Sequence, residues 1–302
     1  MRFVSFKLGE VESYGVLTDD KEKIVDIRQA QFQMKREVNL PDTLLGCIEM
    51  GNTFINEVSK VMNWTKEQLE NNFIYDCSDE KINVLAPIQK PRKNIFCVGK
   101  NYAAHAIEMG SEKDIPDAPI IFSKAPTTVI GTEQAIQRHA DVTDELDYEG
   151  EIAVIIGKKG KAIKKEEAYD YLFGYTLIND VTARDLQRRH KQFLLGKSMD
   201  SSCPMGPWIT HRSLVEDGAN LHIETKVNGE LRQQGNTAQF IFDIPTIIST
   251  ISQGTTLEPG DIIATGTPAG VGSGFTPPKF LNEGDSVEIK VDELGVLRNV
   301  IK

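Results

Sequence analysis

Apolar residues at the start of the chain alternate with polar ones or run in short stretches between turn signals. MRFVSFKL, SYGVLTD and KIVDI have this form and predict strands. Helical signals come next. Pro41-Asp42 opens a helix that stops at Gly51, and Thr65-Lys66-Glu67-Gln68 has the form of a capping box opening another. LAPIQKPRKN then carries Pro87 and Pro91 among basic residues without periodicity, so it reads as a linker or extended entry segment. A boundary there gives a small α+β domain over 1–85 and a larger domain over 86–302.

From Asn94 onward strands dominate. NIFCVG, PIIFSK, GEIAVIIG, FGYTLIN, HIETKVNGELRQ, DIIATG and SVEIKV are bounded by Gly, Pro or Asp, and Asn228-Gly229 is the preferred pair for a tight hairpin turn. The predicted helices are few. One is short, capped by Asn101 and ended by Gly110; one spans about 164–173 and ends at Gly174. A third follows Thr182, with Thr182 and Asp185 as its start signal, and a fourth opens at Asp243-Ile244-Pro245 and stops at Gly254. Strands without regular helical alternation argue against a doubly wound sheet. The expected class is α+β and β-rich, with a mixed β-roll or sandwich as the main domain.

Composition narrows the partners. The 302 residues are 40% hydrophobic and 26% charged, enough for one large core and a smaller satellite. The formal charge of −10 repels phosphate backbones and anionic membranes, so no nucleic acid and no membrane insertion are expected. A small anionic substrate would need local cations or a metal. Cys47, Cys77, Cys97 and Cys203 are widely spaced and form neither a disulfide framework nor a zinc knuckle, which suits a reducing cytoplasm. The opening MRFVSFKLGEVESYG lacks a long apolar export core, and no apolar run reaches the roughly 18 residues of a membrane span. A soluble cytoplasmic protein is the expectation.

The segment Asp147-Tyr148-Glu149-Gly150-Glu151 carries the most chemistry. On one strand, Asp147, Glu149 and Glu151 would share a face and repel each other unless solvated or neutralised by a cation. The apolar run IAVII that follows leads into a core. Carboxylates at the lip of a buried strand suit a hard cation, Mg2+ or Mn2+. The alternative is a solvated edge strand with acidic gatekeepers. Asp180 ends the strand FGYTLIN, and Arg184 and Gln187 share a helix face beside it. An Arg there could hold a substrate carboxylate by a bidentate contact, or simply make a surface ion pair with Asp180 or Asp185.

His105 and Glu108 are helical neighbours, and a carboxylate beside an imidazole makes a general base. An exposed surface pair is the plainer alternative. Thr265-Gly266-Thr267-Pro268-Ala269-Gly270-Val271-Gly272 is no nucleotide cradle; it reads as a backbone wall against a small ligand, or as a plain tight turn. Lys197 in LLGKSMD is a substrate cation or a solvated lysine.

Five motifs in order, GKNYAAHAIEMG, DYEGEIAVIIG, GYTLINDVTARDLQ, GKSMDSSCPMGP and DIIATGTPAGVG, resemble the fumarylacetoacetate hydrolase family over about 94–302. The resemblance implies a mixed β-roll core, a homodimer, and one magnesium or manganese per subunit. It implies Glu149, Glu151 and Asp180 as metal ligands, with Asp147 left to a structural role. His105 and Glu108 match the acid–base pair on a lid, which the polar stretch from His105 to about Asp117 would form. Arg184, Gln187, Lys197 and Thr267 match substrate-facing positions, Lys197 also stands among the catalytic candidates, and Lys124 joins those for substrate binding. The 1–85 segment looks like the extra N-terminal domain of longer bacterial members.

The implied substrates are small 2-oxo acids. Oxaloacetate decarboxylation to pyruvate is the first expectation, since a cation-rich pocket suits a small dicarboxylate. The alternatives are acylpyruvate- or fumarylpyruvate-type C–C hydrolysis and 2-hydroxyhepta-2,4-diene-1,7-dioate isomerisation. A reading from a different class is a metal-binding protein with vestigial catalysis, its N-terminal domain serving a protein partner.

Overall fold

A computed structural model describes residues 1–35, 38–68, 72–215 and 218–302 and has the strand-rich α+β architecture expected. A 12-stranded sheet runs through the described residues. At its centre lie the antiparallel strands Gly150–Ile156 and Leu172–Asn179, in which every residue is buried. They read as near-continuous apolar runs because both of their faces are covered. On one side Gly150–Ile156 pairs with Ile262–Ala264, which runs parallel to Ile95–Gly99, with Ile120–Lys124 next.

On the other side Leu172–Asn179 pairs with Cys203–His211, and Cys203–His211 pairs with Arg2–Leu8. Arg2–Leu8 in turn pairs with Val11–Leu17 and with Ile82–Leu85. The ladder Arg2↔Thr210, Phe3↔Ile209 thus crosses the division drawn near residue 85. The apolar core crosses it too: Phe3 lies 5.2 Å from Phe54 and 5.3 Å from Phe173, ring centre to ring centre.

A second sheet of five strands has Ser286–Val291 near its middle. Its inward residues Ile223, Val287, Ile289 and Leu297 pack with Ile152 and Val154 of the first sheet, which places a core between the two layers. The hairpin turn is where the sequence put it. Asn228 and Gly229 both take positive φ, 51° and 79°, as a two-residue hairpin turn requires.

Several helix signals resolve differently. Thr65 ends the helix Asn52–Thr65 instead of opening one, and its hydroxyl donates back to the Met62 carbonyl. Residues 69–71, which the expected helix would have reached, lie outside the described residues. The stretch expected to be helical to Gly174 is a 3-10 helix, Lys165–Tyr171, and Leu172 already belongs to the central strand. Thr182 does not cap Arg184–His190; it pairs with Asp147 across a short ladder, and its hydroxyl donates to the Asp180 carbonyl. Tyr102, not Asn101, precedes the helix Ala103–Glu108. Asn101 is buried and donates to the carbonyls of Phe242 and Thr265. At Asn101 and Thr182 tertiary partners override local capping, whereas Thr65 bonds back into the helix it ends. Among the described residues no helix is long and apolar enough to cross a membrane.

Candidate functional site

The register of the two central strands builds the site. Gly150 stands opposite Asn179, so Glu149 and Glu151 flank the point where Asp180 leaves the neighbouring strand. The Asp180 N–H donates to the Glu149 carbonyl at 2.8 Å and fixes that juxtaposition. Carboxylate oxygens of Glu149, Glu151 and Asp180 all lie within 4.8 Å of one another, and the three residues are at most 4% exposed. Asp147 leaves the group. It belongs to the separate short strand Leu146–Asp147, and its oxygens accept from the N–H groups of Gly272 and Ser273 and from Arg184 Nε. The strand is interrupted between Asp147 and Gly150, and Asp147 belongs to a different sheet, so the alternation read across all three acidic positions holds only for Glu149 and Glu151.

Three cations are buried with these carboxylates. Lys197 Nζ lies 2.7 Å from Glu149 Oε2 and 2.7 Å from Asp180 Oδ2. Arg184 bridges Asp147 at 2.8 Å and Glu149 at 2.7 Å. Lys124 Nζ donates to Asp180 Oδ1 at 2.8 Å and to the Val181 carbonyl at 3.0 Å. The exposed readings of Arg184 and Lys197 therefore fall, since the side chains are 3% and 2% exposed. Lys124 is fully buried behind Asp180 and does not line the cavity, so its placement supports the acidic cluster rather than a substrate.

Charge is unevenly matched. Burial alone would push the Glu149 carboxyl up, but Lys197 and Arg184 outweigh it and hold it down at about 2. Lys197 is opposed by burial in the same way and is raised to about 12 by Asp180 and Glu149. Glu151 has no ion-pair partner among the described residues and accepts from the Gly266 N–H at 2.8 Å. Burial, then Asp180, then Glu149 drive its carboxyl well above the usual range. Three converging buried oxygen donors, one of them without an ion pair among the described residues, fit a hard divalent cation.

His105 Nδ1 lies 3.2 Å from Glu108 Oε2, and Glu108 Oε1 accepts from the Gly270 N–H at 2.8 Å. His105 is only 6% exposed, so this is not a surface pair. The Gly-rich loop forms a wall, as one of its two readings had it. Gly266 has φ +101°, and a Cβ there would come within 2.8 Å of the Asn101 Cβ, so only glycine can present its N–H to Glu151. Thr267 Oγ1 donates to the Gly150 carbonyl at 2.9 Å.

One residue the sequence did not single out ties this wall to the strand. Gln233 accepts from the Gly150 N–H and donates to Thr267 Oγ1 and the Pro268 carbonyl. Its only signal was an inward position in an alternating strand. A cavity of about 320 Å³ opens over these groups. His105, Glu149, Glu151, Arg184, Gln187, Lys197 and Thr267 all line it, as do Lys100, Arg188 and Lys191, which the sequence reading passed over. Arg184 Nη1 donates to Gln187 Oε1 at 3.3 Å, so the helix-face pairing holds. Asp185, read as a cap, instead accepts from Thr143 Oγ1 and the Asp144 N–H.

Comparison with known proteins agrees with the fold. Residues 94–302 match the family described as fumarylacetoacetate (FAA) hydrolase, C-terminal. The chain is 50% identical to the oxaloacetate tautomerase YisK of Bacillus subtilis over 303 residues, covering 100% of both. Among solved structures, a fumarylacetoacetate hydrolase of Exiguobacterium antarcticum is 38% identical with a TM-score of 0.82, over 100% of this chain and 99% of that one. A 2-hydroxyhepta-2,4-diene-1,7-dioate isomerase of Mycobacterium marinum is 28% identical with a TM-score of 0.74, over 100% and 98%.

Proposed function

The chain belongs to the fumarylacetoacetate hydrolase family, and from that premise we propose that it interconverts the keto and enol forms of oxaloacetate. The observation that carries the reading is the His105–Glu108 pair, with the buried His105 lining a small cavity beside Arg184 and Lys197. The 50% identical relative described as an oxaloacetate tautomerase supports the substrate and the reaction. Decarboxylation stood first on the sequence; proton transfer now precedes it for that reason.

In this reading Glu108 holds the imidazole by its Nδ1–H, which leaves the lone pair on Nε2. The Gly270 N–H holds Glu108 in turn. Nε2 takes a proton from C3 of the keto form, and a proton returned to the 2-oxo oxygen completes the enol. Arg184 and Lys197 balance the substrate's negative charge. Thr267 and Gln187 bound the space in which the acid lies. Glu149, Glu151 and Asp180 would hold Mg2+ or Mn2+, and the chemistry such an ion supplies is Lewis-acid withdrawal of charge from the oxo group. Decarboxylation of the same acid is the second reading, because it develops the same enolate charge and needs no nucleophilic water.

The test follows oxaloacetate keto–enol conversion, pyruvate release and acetylpyruvate cleavage in parallel with Mn2+ present. Wild type should speed the keto–enol conversion most. His105→Asn should lower that rate by about 10²–10⁴-fold, the range for loss of a general base. A wild-type conversion no faster than buffer would defeat the proposal, and dominant pyruvate release would promote the second reading. The homodimer is part of the same proposal: sedimentation should give twice the 33.6 kDa chain mass.

A further inference from the structure

Five cations line the cavity: Lys100, Arg184, Arg188, Lys191 and Lys197. Four of them are already paired. Arg184 and Lys197 are held by the buried carboxylates, Lys100 by Asp114 at 3.3 Å, and Arg188 by Glu145 at 2.6 Å. Lys191 has no ion-pair partner among the described residues. It ends the helix Arg184–His190 with φ +58°, where glycine or asparagine would fit without strain. A side chain kept at a left-handed position beside a cavity, and spending its charge on nothing in the protein, is placed for a ligand.

We propose that Lys191 is the residue that reads the distal carboxylate of a dicarboxylic 2-oxo acid. The inference rests on the oxaloacetate reading above and deepens it. Arg184 and Lys197 lie deep with the acidic cluster, where the 2-oxo carboxylate end would sit. Lys191 stands on the exposed rim, on the turn that also presents Phe193 to the cavity. A C4 carboxylate leaving the deep end toward the rim meets an ammonium there. The ion pair also bears on the choice of reaction. Decarboxylation moves charge off that carboxylate, so an ion pair with Lys191 stabilises the ground state against loss of carbon dioxide. Proton transfer at C3 leaves the pair intact.

The experiment titrates the Mn2+-loaded protein calorimetrically with malate, the non-enolisable 2-hydroxy analogue, and with malate methylated at its C4 carboxylate. Wild type should bind malate about ten-fold more tightly than the ester, in keeping with one charge-assisted contact at a partly open site. Lys191→Gln should weaken malate to the ester's level and leave the ester unchanged, and Lys191→Arg should restore the preference. With oxaloacetate, Lys191→Gln should raise KM with little change in kcat, and raise carbon dioxide release relative to enol formed. Equal weakening of malate and ester, unchanged malate affinity in Lys191→Gln, or no malate binding by wild type overturns the role. Malate discrimination without any oxaloacetate turnover would instead remove the proposed reaction and leave Lys191 its ligand.

Discussion

The seam between the first strands and the central sheet, and the acidic cluster at the mouth of that sheet, are equally buried and held by opposite means. In the seam Phe3, Tyr14, Phe54 and Phe173 interlock with ring centres 5.2–6.5 Å apart. Nothing there needs a charge partner, and every atom excluded from water contributes. In the cluster Asp147, Glu149 and Asp180 pair with Arg184, Lys124 and Lys197, so that removing a pair's member leaves buried charge less compensated, while Glu151 is buried beside them without an ion pair among the described residues. The seam spends its burial on stability; the cluster holds groups whose separate charges would be costly so that they can act together.

The contrast is sharpest at Glu151, the acid without a cation. Glu151→Gln should abolish the Mn2+-dependent rise in thermal midpoint and reduce activity by about 10³-fold, the scale of losing several kcal/mol of Lewis-acid stabilisation. In metal-free protein the same change should raise stability at neutral pH. The wild-type carboxyl has a raised folded-state pKa, so the native state binds the extra proton and stability falls as pH climbs past the ordinary carboxylate range. A metal-free midpoint that drops in Glu151→Gln would mean the cluster is balanced without an added cation.

A break in the seam should look different. Phe3→Ala should cost about 3–5 kcal/mol in urea unfolding, as deletion of a fully buried aromatic ring does. The activity of the remaining folded molecules should be unchanged. A loss of activity at unchanged stability would show that the seam transmits to the site through Cys203–His211 and its neighbours.

The smallest effect joins the two themes, a titratable group inside the apolar seam. The His211 ring packs edge-on against Phe173 at 5.4 Å and Phe3 at 6.4 Å. Burial, with the nearby positive charges, lowers its pKa from 6.5 to about 4. The unfolded chain therefore takes up a proton that the folded one refuses as pH falls from 6.5 toward 4. The contribution of His211 to stability is complete above that window and is lost descending through it. Urea midpoints of wild type and His211→Asn at about pH 7.5 and about pH 5 should show a shallower fall for the variant.

The sequence by itself determined the strands, because an inward-facing strand must be written in apolar residues whatever its neighbours are. GEIAVIIG and FGYTLIN could be read as buried strands, and Asn228-Gly229 as a hairpin turn, from local chemistry alone. The acidic residues, His105 with Glu108, and Arg184 with Gln187 were legible as pairs at short spacing. Tertiary structure decided the rest. Asn101 and Thr182 carry capping side chains or backbone that long-range or sheet partners claimed, and no local window contains those partners. Asp147 separated from Glu149 and Glu151 because the strand is interrupted after it and Asp147 pairs in a different sheet. Lys197 read as a substrate cation or a solvated lysine, and only the fold placed it between Glu149 and Asp180, residues 48 and 17 positions away. Charge compensation acts through space, so a sequence names the charges and only the fold says which of them meet.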